Sequence, residues 1–231
     1  MDILLGIISI IGVVSFAAAG AMVAIEKETD IFGVLFLSIV TTFGGGILRD
    51  VIVGEGIPLF FGMHLEIVIT VITALTVFTV AKLFSRQYVA EKETVVRINN
   101  VLDALGLGIF ASAGTELCLH LGPLVAITMG LFSSVGGSLT RDVILRDIPF
   151  ILRKRVYAVA VILGSSLYYT ISEFIMKGSG SREAVATVAC TVLIVTVRMC
   201  ATHYKWNLPK AIIFDTKVED ARNIRPSDSK R

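Results

Sequence analysis

Charge is absent from long stretches of this chain: no Asp, Glu, Lys or Arg stands between Asp2 and Glu26, or between Asp30 and Arg49. Only 17% of the 231 residues are charged, against 55% hydrophobic, and mean hydropathy is +0.81. A water-soluble domain needs polar faces that recur with the helical or strand period. These windows are apolar all round, so their solvent is lipid. Cysteine is scarce too: Cys118, Cys190 and Cys200 lie in apolar segments without metal-ligand spacing, and read as small packing residues. His64, His120 and His203 sit at the ends of apolar runs, where a polar tip reaches water. No nucleotide loop, metal cluster or nucleophile–base pair can be assembled. An enzyme, a bound cofactor and a nucleic-acid partner are therefore not expected.

What is present is a series of apolar runs of spanning length. A span needs about 20 residues, and seven fit: 3–25, 31–53, 65–84, 101–120, 122–145, 154–174 and 184–204. The first is too long for a signal-peptide core and lacks a basic leader, so it is read as a retained helix. The link 82–100 is charged, and Pro58 and Pro149 are expected to end the helices before them. The transmembrane domain is placed at 1–206 and a polar cytoplasmic tail at 207–231. The links on one side carry nine lysines and arginines and those on the other only Lys177 and Arg182. That asymmetry predicts an inner-membrane protein with its N-terminus outside and its C-terminus in the cytoplasm. The run Arg153–Lys154–Arg155 is expected to anchor span 6 against membrane lipid headgroups.

The chain also repeats itself. "TTFGGGILRDVI" (41–52) aligns with "SSVGGSLTRDVI" (133–144) at an offset of 92, "FAAAG" (16–20) with "FASAG" (110–114) at 94, and "IPLF" (57–60) with "IPFI" (148–151) at 91. The expected fold is all-α and integral to the membrane. It has two three-helix repeats, 3–84 and 101–174, and a seventh helix at 184–204. An odd number of spans per repeat inverts the second copy, an arrangement found in transporters with sites near the midplane.

Gly44, Gly45 and Gly46 in span 2 and Gly136, Gly137 and Ser138 in span 5 fall near mid-membrane, roughly 20 Å along each helix. Glycine is a poor helix former, so both helices are expected to break or kink there. Freed carbonyls, with the hydroxyls of Thr41, Thr42, Ser133 and Ser134, would line an oxygen-rich cation path. Close helix packing through small residues is the alternative. Each cluster is followed by an Arg-Asp pair, Arg49–Asp50 and Arg141–Asp142, acting as gating or structural charge. Neighbours at i and i+1 do not face each other on a helix, so Arg49 is expected to pair elsewhere, with Asp142, Asp103 or Glu116. An arginine near each break also suits a carboxylate, which leaves a small amino-acid transporter open beside a passive cation channel.

On "GGGILRD" (44–50), "GGSLTRD" (136–142) and the preceding "FAAAG" and "FASAG", the chain resembles the prokaryotic trimeric intracellular cation (TRIC) channels, a family also known by a glycine-transporter domain. The similarity spans roughly residues 3–204. It implies a homotrimer with one pore per protomer along kinked helices 2 and 5, passing K⁺ and Na⁺ with little discrimination. Ser138 departs from the pattern, standing where the first repeat has a third glycine.

Overall fold

A computed structural model describes residues 2–54, 56–153, 156–204 and 206. The tail 207–231 and two residues of the basic run, Lys154 and Arg155, lie outside them. Among the described residues, seven helices are long and apolar enough to cross a membrane. They are α1 (Asp2–Glu26), α2 (Ile31–Val53), α3 (His64–Leu83), α4 (Lys92–Leu117), α5 (Pro123–Ile144), α6 (Val156–Thr170) and α7 (Arg182–His203). α6 continues into one π-helical turn, Ile171–Ile175. Loops 27–30 and 145–149 and the C-terminal end of α7 gather at one end, called here the basic end. The N-terminus and the loops after α2, α4 and α6 gather at the opposite end.

Six spans begin and end within about two residues of the expected limits, but α4 does not. It starts at Lys92 rather than 101, and a short helix, Ser85–Ala90, occupies much of the charged link. Good helix formers carry a helix beyond the lipid once its side chains reach water, and hydropathy marks only the lipid-facing part. The prolines are not the terminators either. α2 ends on Gly54, in the left-handed region at φ 74°, and α5 is followed by Arg146 at φ 57°, the equivalent position 92 residues on. A left-handed residue turns the chain and lets a following N–H meet a free carbonyl of the last turn. Accordingly Gly54 N–H bonds the Asp50 carbonyl and Asp147 N–H that of Asp142, both at 2.9 Å.

The interior is small-residue packing, as lipid-solvated helices require when no hydrophobic force drives them together. α1 buries Ser15, Phe16, Ala17, Ala18, Ala19 and Ala21, while Phe32, Ile72 and Val192 face outward. Phe16 of α1 stacks on Phe110 of α4, its repeat equivalent, with ring centroids 5.0 Å apart. The two repeats therefore meet face to face, and α7 packs along α4 and α6.

Candidate functional site

The expected break is not there. α2 is helical without interruption from Ile31 to Val53, as is α5 from Pro123 to Ile144, straight through both glycine clusters. The glycines instead let two backbones touch. A Cβ on Gly45 would stand 2.1 Å from the Ser133 carbonyl oxygen, and one on Gly137 2.1 Å from that of Thr41. Those contacts exchange under the 92-residue offset, so the pseudo-twofold relating the repeats passes through the α2–α5 crossing. Gly20 of α1 and Gly114 of α4 serve the same junction: a Cβ on them would stand 2.7 Å from Thr41 Oγ1 and 2.3 Å from Ser133 Oγ. Gly46 is different, with nothing nearer than the Arg49 guanidinium at 3.9 Å. Its equivalent is Ser138, so a side chain is tolerated where the backbones diverge. Ser138 uses it to bond the Val135 carbonyl and to share a 3.2 Å hydrogen bond with Tyr157.

The hydroxyls are buried at this junction and turned onto their own helices. Thr41 donates to the Leu37 carbonyl at 2.6 Å, Thr42 to Ser38 at 2.8 Å and Ser134 to Gly130 at 2.9 Å. Such i−4 bonds satisfy a hydroxyl without a freed carbonyl. Ser133 instead accepts from Arg49 Nη1 at 3.3 Å, a link between the repeats.

Both arginines pair with the residue beside them, which for Arg49 is against expectation. Arg49 Nε and Nη2 reach Asp50 Oδ1 at 2.8 and 2.6 Å; Arg141 Nε and Nη2 reach Asp142 Oδ1 at 2.9 and 2.7 Å. The rule that i and i+1 diverge concerns Cβ directions. A guanidinium on a three-carbon arm can curl back, and in a buried setting the nearest carboxylate wins. Asp50 Oδ2 also accepts the Leu59 N–H at 2.8 Å, which ties the loop after α2 to the helix end. The other candidate partners are engaged with α7: Asp103 with Arg198 and Glu116 with Arg182.

One cavity lies toward each end of the molecule. One, about 400 Å³, opens at the basic end between α1, α4, α5 and α6, with Asn100, Asp103, Arg141, Asp142 and Tyr157 on its wall. The other, about 410 Å³, lies toward the opposite end, with Gly6, Ser9, Glu66, Glu116 and Tyr168 on its wall. Gly6, Ser9 and Glu66 are the repeat equivalents of Asn100, Asp103 and Tyr157, so the two walls correspond at these positions, whereas Arg49 and Asp50, the equivalents of Arg141 and Asp142, are not on the second wall. Arg141 and Asp142 are the expected site residues on these walls; the glycines and hydroxyls lie at the buried α2–α5 crossing and on neither wall. The sequence reading missed Arg198 and Tyr157. One signal for Arg198 was there: an arginine inside an apolar span marks a functional or paired position. Among the described residues no cluster of His, Cys, Asp or Glu is arranged to hold a metal.

Seven apolar helices in two inverted repeats, with a small-residue crossing between them and a cavity toward each end, define a multi-pass membrane protein of the channel and transporter class. The family model described as "Glycine transporter" matches residues 6–82 and 100–173, and the chain belongs to that family, the TRIC channel family. The inner membrane protein YadS of Escherichia coli K12, classed UPF0126, is 30% identical over 207 residues, covering 87% of this chain and 92% of that protein. A structure of TRIC cation channels solved to explain conductance superimposes with a TM-score of 0.75 at 28% identity, covering 91% and 98% of the two chains. The TRIC trimeric intracellular cation channel orthologue of Rhodobacter sphaeroides gives 0.74 at 28%, covering 87% and 98%.

Proposed function

We propose that this chain is a passive channel for monovalent cations, K⁺ and Na⁺, with one path through each protomer of a homotrimer. The observation that carries the reading is the buried glycine crossing of α2 and α5 on the repeat axis, with one cavity toward each end of the molecule, the first walled in part by Arg141 and Asp142 of α5. Its likeness to solved cation channels of the TRIC family supports the ion and the trimer. The path runs from Asp103 and Asp142 at one end, past Thr41, Thr42, Gly44–Gly46, Ser133, Ser134 and Gly136–Ser138, to Glu116 at the other. The crossing as described is a closed constriction, and conduction requires the two helices to part or bend at the glycines. Arg49–Asp50 and Arg141–Asp142 hold the ends of those helices on either side. The basic end faces the cytoplasm, by the distribution of lysine and arginine.

Single-channel recording of the purified protein in planar bilayers tests this, first in symmetric KCl and then in a gradient. Discrete openings that reverse near the K⁺ potential are the expected result; a silent bilayer refutes the channel. A second reading, a small amino-acid transporter, draws on the same opposed cavities, which also suit alternating access, and on Arg141 at the wall of one. It requires saturable glycine uptake into liposomes that Arg141→Ala abolishes.

A further inference from the structure

Two ionic clusters away from the glycine crossing share one plan. Toward the basic end, Arg198 of α7 donates to Asp103 Oδ2 of α4 at 2.8 Å, and Tyr157 of α6 donates to Asp103 Oδ1 at 3.3 Å. The Arg198 guanidinium also lies over the Tyr157 ring, 4.2 Å from its centroid. Toward the opposite end, Arg182 of α7 holds both oxygens of Glu116 of α4, and Tyr168 of α6 donates to Glu116 Oε2 at 2.9 Å. Each cluster thus takes its acid from α4, its arginine from α7 and its tyrosine from α6. Asp103 stands on the wall of one cavity and Glu116 on the wall of the other.

The duplication does not explain this. The first-repeat equivalents of Asp103 and Tyr157 are Ser9 and Glu66, and α7 has no counterpart in either repeat. A simple tie between helices would be sealed in the packed interior. These two acids border open space instead, with side chains 12% and 25% exposed. A carboxylate beside a phenolic oxygen is also a suitable pair of ligands for a monovalent cation.

We infer that Asp103 and Glu116 are the cation-attracting carboxylates of the two cavities, and that each is held by a tethered α7 arginine which a permeant cation must displace. The inference rests on the channel reading and deepens it by naming the groups that select for charge. Arg198 and Arg182 are positioning residues: they set how much negative charge each cavity presents.

The test is single-channel recording of the full-length protein in a KCl gradient. Glu116→Gln is expected to lower unitary K⁺ conductance on the order of twofold and to move the reversal potential away from that of K⁺, because local cation concentration follows the field of the cavity. Arg182→Met, which frees Glu116, is expected to raise conductance by a similar factor, and Arg182→Lys to stay near wild type. Asp103 and Arg198 are more deeply buried, so removing one partner threatens the fold. There the double variant Asp103→Asn with Arg198→Met is used, and reduced conductance is expected. Unchanged conductance and reversal potential in Glu116→Gln and Arg182→Met channels overturn the inference, with or without the double variant. A conducting wild type with unaltered variants refutes this inference alone; a silent wild type refutes the channel reading and this with it.

Discussion

A methyl group on Gly45 would lie 2.1 Å from a backbone oxygen of the partner helix, whereas one on Gly46 would meet nothing nearer than 3.9 Å. Adjacent glycines therefore make opposite predictions. Gly45→Ala and Gly137→Ala are expected to force α2 and α5 apart, lowering thermal stability in detergent and altering conductance together. Gly46→Ala is expected to be neutral or to stabilise by up to about 1 kcal/mol through helix propensity. Equal melting temperatures for Gly45→Ala and Gly46→Ala would remove the close-approach explanation. The Arg49–Asp50 pair makes a second prediction at this scale. Removing one member of a buried ion pair costs about 3–5 kcal/mol, and removing both costs much less. Arg49→Met should accordingly destabilise more than Arg49→Met with Asp50→Asn, whose amide oxygen can still accept the Leu59 N–H. Thermal denaturation followed by size-exclusion chromatography reads the difference.

At the scale of the helix, periodicity and hydropathy located elements well, since lipid imposes a length and forbids charge. They located ends less well. α4 extends nine residues before its expected start at 101, to Lys92, because nothing in hydropathy marks where a helix stops once it is in water. α2 ends on a left-handed residue and α5 is followed by one two residues on, rather than either ending on a proline, a choice made by local backbone geometry. α7 is the element whose importance only the structure reveals. The family match stops at 173, before α7 begins, yet α7 supplies Arg198 and Arg182. Deleting it would leave Asp103 and Glu116 without these arginines. A chain ending at residue 181 is therefore expected to give little or no monodisperse protein, while one ending at 206 should purify like the full chain. Comparable yields of the two would show that α7 is dispensable for folding.

For the whole molecule, seven spans would put the two termini on opposite sides of the membrane, and the distribution of lysine and arginine predicts which side each takes. Single cysteines introduced at exposed loop positions, in a background lacking Cys118, Cys190 and Cys200, report it directly. Thr29→Cys is expected to resist a membrane-impermeant maleimide added to intact cells, and Ser179→Cys to react. The reverse pattern would invert the assignment and place the basic end outside. Inversion relates parts of the two cavity walls. Positions lining one recess recur on the other, and divergence gives them different charge, as Ser9 against Asp103 illustrates.

The sequence by itself determined the solvent, the number of spans, the internal duplication and the residues at the crossing. These follow from composition and spacing along the chain, which lipid and helix geometry constrain directly. The tertiary structure decided what those residues do. That Gly45 and Gly137 bring backbones together rather than interrupt helices, that Arg49 folds back on Asp50, and that Asp103 and Glu116 are claimed by α7 all depend on distances between elements remote in sequence. Several partners of suitable charge were available to each arginine. Only the packed arrangement selects among them, because buried ion pairs are decided by ångström separations that no spacing along the chain encodes.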